Sequence, residues 1–295
     1  MPGGDSMATP RLAYLATGPE AILCQALYSI RTALAWRGAL PLAIHVYTDR
    51  PAYFDALAGS VQIERVDGAR ERRWRGPWGF LYRLKPKVLE DLASRHPGDP
   101  ILFLDADTCW TGDVGRVFSR ITEGSAVMHA REYFVGTLGT AQIRNFRRRM
   151  GRARFRGRPV DVEAWMWNSG AVGLHPAHAP IVADWIEYLD EVHPANRKPI
   201  VEQYAISWLL QQRVGAVAPC DDVLDHYWAD KARHLSAIRR ALGRLEALRA
   251  EERCEWIRAN PVRPPGAPPE RRRDSFLERM RISVAQRLPL VRREA

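Results

Sequence analysis

Asp105 and Asp107 stand one residue apart at the end of an unbroken apolar run, Ile101-Leu-Phe-Leu104. A run of that length and character reads as a buried strand. Alternation along a strand sends residues two apart to the same side, so both carboxylates are expected to point together. Two hard oxygen ligands at the exposed end of a buried strand suit a divalent cation held against a diphosphate. The plainer alternative is a pair of solvated loop acids. The apolar run directly before them favours the metal.

The elements that must position this pair alternate in type. Leu12–Ala16, Leu42–Tyr47, Val61–Val66, Ala126–His129 and Gly170–Leu174 read as further strands. Ala21–Trp36, Leu84–Ala93, Ile181–Val192 and Val201–Gln211 read as helices. That alternation predicts an α/β fold with a mostly parallel central sheet and helices on both faces. Ligands of such sheets bind outside the carboxyl ends of the strands, which is where Asp105 and Asp107 fall. Beyond Trp228 the chain becomes charged and rich in Ala, Leu and Arg. Leu235, Ile238, Leu242 and Leu245 recur at helical spacing within Lys231–Ala259, the mark of a helix packed on the core or on a partner. Residues 261–273 hold the proline-rich stretch Pro261-Val-Arg-Pro-Pro-Gly-Ala-Pro-Pro269, a stiff linker,. In residues 274–295, Phe276, Met280, Val284 and Leu288 form one helical stripe beside Arg279, Arg281 and Arg287. Such a basic amphipathic tail either lies in the interface of an anionic membrane or docks on the domain formed by residues 1–231 or on a second subunit. The expected division is therefore residues 1–231, a helical extension 232–260, the linker 261–273 and the tail 274–295.

At 295 residues, with 46% hydrophobic side chains, the chain suits one large α/β domain with additions,. No apolar stretch is long enough to span a bilayer. Met1–Arg11 lacks a basic segment followed by an apolar one, so no secretory signal is expected. Cys24, Cys109, Cys220 and Cys254 are scattered without metal-ligand spacing, and reduced thiols in the cytoplasm are the simplest reading. The net charge of +10 is uneven: residues 263–295 hold nine Arg against four acids, and residues 144–158 hold eight Arg and no acid. That balance favours an anionic partner. Only four of the 44 basic residues are Lys, so Arg richness on its own reflects base composition as readily as function.

Several segments line up in order: Leu12-Ala-Tyr-Leu-Ala-Thr-Gly18, Val46-Tyr-Thr-Asp49, Tyr82-Arg-Leu-Lys-Pro-Lys87, Phe103-Leu-Asp-Ala-Asp-Thr108, Trp167-Asn-Ser-Gly-Ala-Val-Gly173, Val201-Glu-Gln-Tyr204 and Asp225-His-Tyr-Trp228. Over residues 11–231 this resembles a glycosyltransferase of the GT-A fold, nearest to glycosyltransferase family 8, the glycogenin and lipopolysaccharide galactosyltransferase group. The resemblance implies a hexosyltransferase with a nucleotide-sugar donor, a UDP-sugar first, and manganese or magnesium as cofactor. Asp107 would ligate the metal, and Asp105 would share it or hold the ribose. His226 would be the third ligand, since imidazole completes such a site. The family pattern His-x-x-Gly-x-x-Lys-Pro is departed from here, as His226-Tyr-Trp-Ala-Asp-Lys231. Lys231 would reach the β-phosphate, and a core or capping role is the alternative for His226. Thr17 and Asp49 would meet the base and ribose, or else serve as a turn residue and a helix cap. Arg83 and Lys85 would approach the nucleotide, or else form a solvated helix face. Asn168 would hydrogen-bond a sugar hydroxyl while Ser169-Gly170 lets the backbone come close. Glu202 and Gln203 match the family's Asp-Gln pair facing the donor sugar, although mid-helix acids are usually solvated. Family 8 enzymes retain configuration; no residue here identifies itself as the base that inversion requires. Bacterial surface-polysaccharide assembly is the context by analogy, with an acceptor of unknown identity, a saccharide or a lipid-linked molecule.

Two other classes compete. A haloacid-dehalogenase-like phosphatase also carries an Asp-x-Asp after an apolar strand, with Asp221-Asp222 as its second acidic cluster. That reading leaves Asn168-Ser169-Gly170 without a role. A basic nucleic-acid-binding protein is suggested by Arg144–Arg158 with Phe146 and Phe155 interleaved,. No specific nucleic acid motif accompanies it, and a basic insertion beside a transferase site would instead recruit a phosphorylated or lipid-linked acceptor.

Overall fold

Short apolar segments bounded by Gly, Pro and Asp punctuate the first half of the chain, and each becomes a sheet strand in the computed structural model, which describes residues 8–262. Strand β1 (Arg11–Ala16) leads into helix α1 (Glu20–Trp36), then β2 (Ala43–Thr48), β3 (Gln62–Arg65), α2 (Gly68–Arg75) and α3 (Leu84–Arg95). Next come β4 (Ile101–Leu104), β5 (Thr108–Trp110), the single turn α4 (Gly115–Phe118), β6 (Ser125–Met128) and β7 (Arg131–Phe134). An excursion follows, with α5 (Ala141–Met150) and a small hairpin of β8 (Arg154–Phe155) and β9 (Arg158–Pro159). The chain returns through β10 (Trp165–Trp167) and β11 (Ala171–Leu174) to α6 (Ala179–Val192), α7 (Ile200–Arg213), β12 (Ala216–Pro219) and β13 (Leu224–His226). Helices α8 (Lys231–Glu246) and α9 (Ala250–Ala259) close the described part.

The fold is mixed α/β. Seven strands form the central sheet in the order β12-β6-β11-β4-β1-β2-β3. It is mainly parallel, as expected, except that β11 runs antiparallel to both β4 and β6. Side-chain alternation divides the strands between two cores. Ala13, Ile101 and Phe103 face α3, α6 and α7, whereas Leu12, Tyr14, Leu102 and Leu104 face α1. Both faces of the inner strands are thus buried under helices, which is why β4 and most of β1 read as continuous apolar runs,; the edge strand β3 is largely exposed and polar.

Helix α1 also steadies the segment after β4. Its Ser29 hydroxyl lies 3.1 Å from the Tyr14 hydroxyl and 2.9 Å from Thr108 Oγ1, and Thr32 Oγ1 accepts the Trp110 amide at 2.9 Å. These polar groups are buried and paired, so they fix β5 beneath the helix without leaving unsatisfied donors. The expected single helix over Lys231–Ala259 is two, broken at 247–249. Arg249 and Glu252 form a reciprocal cap that starts α9,. Ile238, Leu245 and Ile257 share a cluster with Cys24 and Tyr28 of α1, and Arg258 donates to the Ala35 carbonyl. Both helices therefore pack on α1. Among the described residues, which include all four cysteines, no disulfide forms, and no helix is long and apolar enough to cross a membrane. The linker from residue 263 and the amphipathic tail lie outside the described residues.

Leu102, fully buried at the centre of the sheet, tests this packing. Leu102→Ala should cost about 2–5 kcal/mol, read as a lowered urea midpoint at unchanged denaturant slope.

Candidate active site

Strand β4 ends at Leu104, so Asp105 and Asp107 do not continue its alternation; they occupy the turn into β5. Their convergence comes from how that turn is held. The Asp105 amide donates to the Gly170 carbonyl at 2.9 Å, and Thr108 Oγ1 donates back to the Asp105 carbonyl at 2.9 Å. The Tyr227 amide bonds the Asp107 carbonyl at 3.1 Å. β13 pairs with β5 so that His226 stands opposite Thr108. The outcome is a cluster in which one ligand atom each from Asp105, Asp107 and His226 lies within 4.8 Å of the others. His226 Nε2 is 3.4 Å from Asp107 Oδ2 and 3.9 Å from Asp105 Oδ2.

The tautomer of the neutral His226 ring follows from its neighbour. Asn168 Oδ1 accepts the Gly170 amide at 2.9 Å while Asn168 Nδ2 donates to Glu132 Oε1 at 2.9 Å, which fixes the orientation of the amide. The same Oδ1 lies 2.7 Å from His226 Nδ1. A carboxamide oxygen carries no hydrogen and can only accept, so Nδ1 must carry the hydrogen. In the neutral ring Nε2 is then left with its lone pair facing the two carboxylates. That is the tautomer a metal-binding histidine requires, set by an outer hydrogen bond as such sites usually are. Gly170 leaves room for the arrangement: a Cβ there would stand 2.2 Å from His226 Nδ1. These residues fit a divalent cation.

Lys85 is the hub of the adjoining group. It is buried, contrary to a solvated helix face. Its ammonium donates to the Ser169 carbonyl at 2.8 Å and lies 3.2 Å from Ser169 Oγ, 3.1 Å from Asp105 Oδ1 and 3.5 Å from Glu202 Oε1. Ser169 Oγ donates to Glu202 Oε2 at 3.1 Å. Burial opposes the charge on Lys85, but Asp105 and Glu202 outweigh it and raise its pKa above the usual value. Glu202 lies in the first turn of α7, not mid-helix, and is 3% exposed. Burial pushes its carboxyl up to about 7; Lys85 opposes this and Asp105 adds to it. Burial likewise opposes ionisation of Asp107, yet His226 and Lys231 hold its carboxyl well below the usual range.

The remaining expected residues are placed unevenly. Lys231 Nζ is 2.7 Å from Asp107 Oδ2, at the start of α8. Gln203 Nε2 donates to Glu132 Oε2 at 2.8 Å. Thr17 and Asp49 sit at the carboxyl ends of adjacent parallel strands, where Asp49 accepts the Gly18 amide at 3.1 Å. Arg83 is not brought into the cluster. Its guanidinium forms a two-pronged pair with Asp190 of α6 at 2.7 and 2.8 Å and donates to the Trp74 carbonyl, so its donors are spent on the scaffold. Glu132 on β7, which joins Asn168 to Gln203, has no signal in its local sequence. His129 is also unforeseen; its ring meets that of His226 edge-on at 5.4 Å, and its Nε2 lies 3.1 Å from the Leu224 carbonyl.

No protein-family model and no curated protein matches the chain. Among solved structures, mouse xyloside xylosyltransferase 1 in its apo form is similar over 72% of this chain and 85% of its own, with 15% identity and a TM-score of 0.47.

Two outcomes check this geometry. Asn168→Ala frees the His226 ring, so affinity for an added divalent cation measured by calorimetry should fall about 10–100-fold. The second concerns pH. Because Glu202 holds its proton up to about 7 instead of the ordinary 4.5, the native state binds more protons than the unfolded chain in that window. Its contribution to stability is therefore favourable at low pH and is lost as pH rises through it. Glu202→Gln removes this dependence, so the variant should gain stability relative to wild type between pH 5 and pH 8, by up to about 3 kcal/mol. Parallel pH profiles for the two proteins in urea unfolding would count against a buried, proton-holding Glu202.

Proposed function

We propose that the chain is a metal-dependent glycosyltransferase that transfers a hexose from a nucleoside-diphosphate sugar, a UDP-sugar first, to an acceptor. The observation that carries this reading is the meeting of Asp105, Asp107 and His226 Nε2 in one cluster, beside a buried lysine–glutamate pair. The sequence likeness to GT-A enzymes of family 8 supports it. Asp105, Asp107 and His226 would hold manganese or magnesium. When bound, such an ion neutralises charge developing on a departing diphosphate.

The protein's own groups have separable tasks in this reading. Lys231 and Lys85 bring two ammonium groups to the acid cluster, and Lys231, exposed where Lys85 is buried, would turn from Asp107 toward a phosphate. Thr17 and Asp49 would meet the nucleoside at the ends of β1 and β2. Glu202 changes protonation near neutral pH, so it can offer the sugar either a hydrogen-bond donor or a negative charge. Glu132 positions Asn168 and Gln203 for contact with sugar hydroxyls. Arg83 has no part, being committed to Asp190. A phosphatase of the haloacid-dehalogenase kind would need Asp105 as nucleophile near the start of the sheet. Here it follows the fourth strand and is already ion-paired with Lys85, and nothing in such a reaction uses Asn168 or His226. Retention of configuration, a cytoplasmic location and a role in surface-polysaccharide assembly complete the proposal.

Calorimetry of UDP with and without manganese is the direct test. Asp107→Ala should weaken metal-dependent UDP binding by more than the roughly 10–100-fold of an outer-shell loss, with circular dichroism unchanged. Undiminished binding would remove Asp107 from the site. Glu202→Gln should lower turnover of a UDP-hexose far more than UDP affinity, as expected for a group acting on the sugar in the transition state.

A further inference from the structure

The excursion between β7 and β10 is rooted in the site at both ends. It leaves the sheet just after Glu132 and returns just before Asn168, two residues that hydrogen-bond each other. Residues 133–160 contain no acid, while Arg144, Arg147, Arg148, Arg149, Arg152, Arg154, Arg156 and Arg158 all fall within them. Helix α5 buries Ile143, Phe146 and Met150. The Phe146 ring packs 5.2 Å from that of Tyr204, the residue after Gln203, and the Tyr204 hydroxyl donates to the Asp161 carbonyl at 2.6 Å. The helix is therefore seated on the turn of α7 that carries Glu202 and Gln203.

With its apolar face so committed, α5 presents Arg144, Arg148 and Arg149 to solvent, followed by exposed Arg152, Arg154 and Arg158. Among the described residues, Arg156 is the one arginine of the eight that forms ion pairs, to Asp184 and Glu187 of α6. Arg147 donates to the carbonyls of Val135 and Gly136 and so braces the root of the excursion. Six guanidinium groups thus lie exposed within residues 144–158 and form no ion pair among the described residues; Asp161 and Glu163, the acids of the excursion, follow at its far end. The planar guanidinium forks match phosphate oxygens, and they are less strongly hydrated than ammonium groups. A surface for single-stranded nucleic acid would add exposed rings for stacking. The two aromatics inside this run, Phe146 and Phe155, are instead core residues at 2% and 8% exposure.

We propose that this insertion binds phosphate groups carried by the glycosyl acceptor, making the acceptor an anionic, phosphate-bearing molecule. The assignment of the ligand as acceptor rests on the glycosyltransferase reading; the binding itself does not. The test uses the full chain and the variant Arg144→Gln/Arg148→Gln/Arg149→Gln, whose changed residues lie outside the acid cluster. Inorganic tripolyphosphate is titrated by calorimetry in metal-free buffer, and phosphatidylglycerol vesicles are used in a parallel sedimentation arm. Wild type should bind in at least one arm, more weakly as salt rises, and the variant should bind about tenfold or more weakly. Tripolyphosphate binding identifies a soluble phosphorylated acceptor, and vesicle binding alone a lipid headgroup. Equal binding by the two proteins, binding in neither arm, or tighter binding of a thymidine oligonucleotide than of both probes overturns the proposal. Manganese-dependent UDP binding measured on the same samples reports on the donor reading separately and should be the same in both proteins.

Discussion

Three carboxylates crowd the carboxyl end of the sheet, and two ammonium groups hold them there. Asp105 and Glu202 share the buried Lys85, while Asp107 pairs with Lys231 at the surface. Without these cations the acids would repel each other in a region of low polarity, and burial would favour their neutral forms. Removing one partner of a buried pair is costly because it strands the other charge. The opposed behaviour of the acids follows from their surroundings. Both are buried alike, but Asp107 is stabilised as an anion by His226 and Lys231, whereas burial, with Asp105 beside it, outweighs Lys85 and drives Glu202 toward its neutral form. Two neighbouring carboxyl groups thereby differ in the charge they favour, as the separate roles proposed for them require.

The scaffold gives that electrostatic arrangement its geometry through Asn168. Its side chain ties Gly170, His226 and Glu132 together. Its backbone bonds His129 and Ala130 at the seam between β6 and β7. The reversal of β11 matters here. Because β11 runs antiparallel to β4, its entry point rather than its exit lies beside Asp105, so the Asn168-Ser169-Gly170 segment arrives at the carboxyl end of β4. A parallel β11 would have delivered that segment to the opposite edge. Ser207 of α7 accepts the Trp167 amide at 3.0 Å, which sets the helix alongside β10 and aims Glu202 at Ser169.

The basic insertion grows from the same strands, and this has an energetic logic. α5 contributes Ile143, Phe146 and Met150 to the core shared by α6 and α7, so the arginine-bearing surface is held by apolar burial rather than by ion pairs. Charge on its outer face is then left facing solvent. The proposed phosphate binding at this surface and the proposed metal-dependent chemistry at the acid cluster would draw on different forces.

Much of the fold was legible because local patterns carry it. Ile101–Leu104 and Leu12–Ala16 are apolar throughout since both faces of the sheet are covered, and α1 and α8 show their buried stripes at helical spacing. The Asp105/Asp107 pair was recognisable from the strand that precedes it. Tertiary structure decided the rest. β5 and β13 are three residues each, too short to show a period, yet their pairing brings His226 to Asp107. Arg83 and Lys85 lie two residues apart and looked equivalent, but one faces Asp190 of α6 and the other is buried between Asp105 and Glu202. Glu132 acquires its place only because β7 runs past Asn168. Periodicity in a sequence records which face of an element is buried; it does not record which distant element will cover that face, and the site is made of such distant meetings.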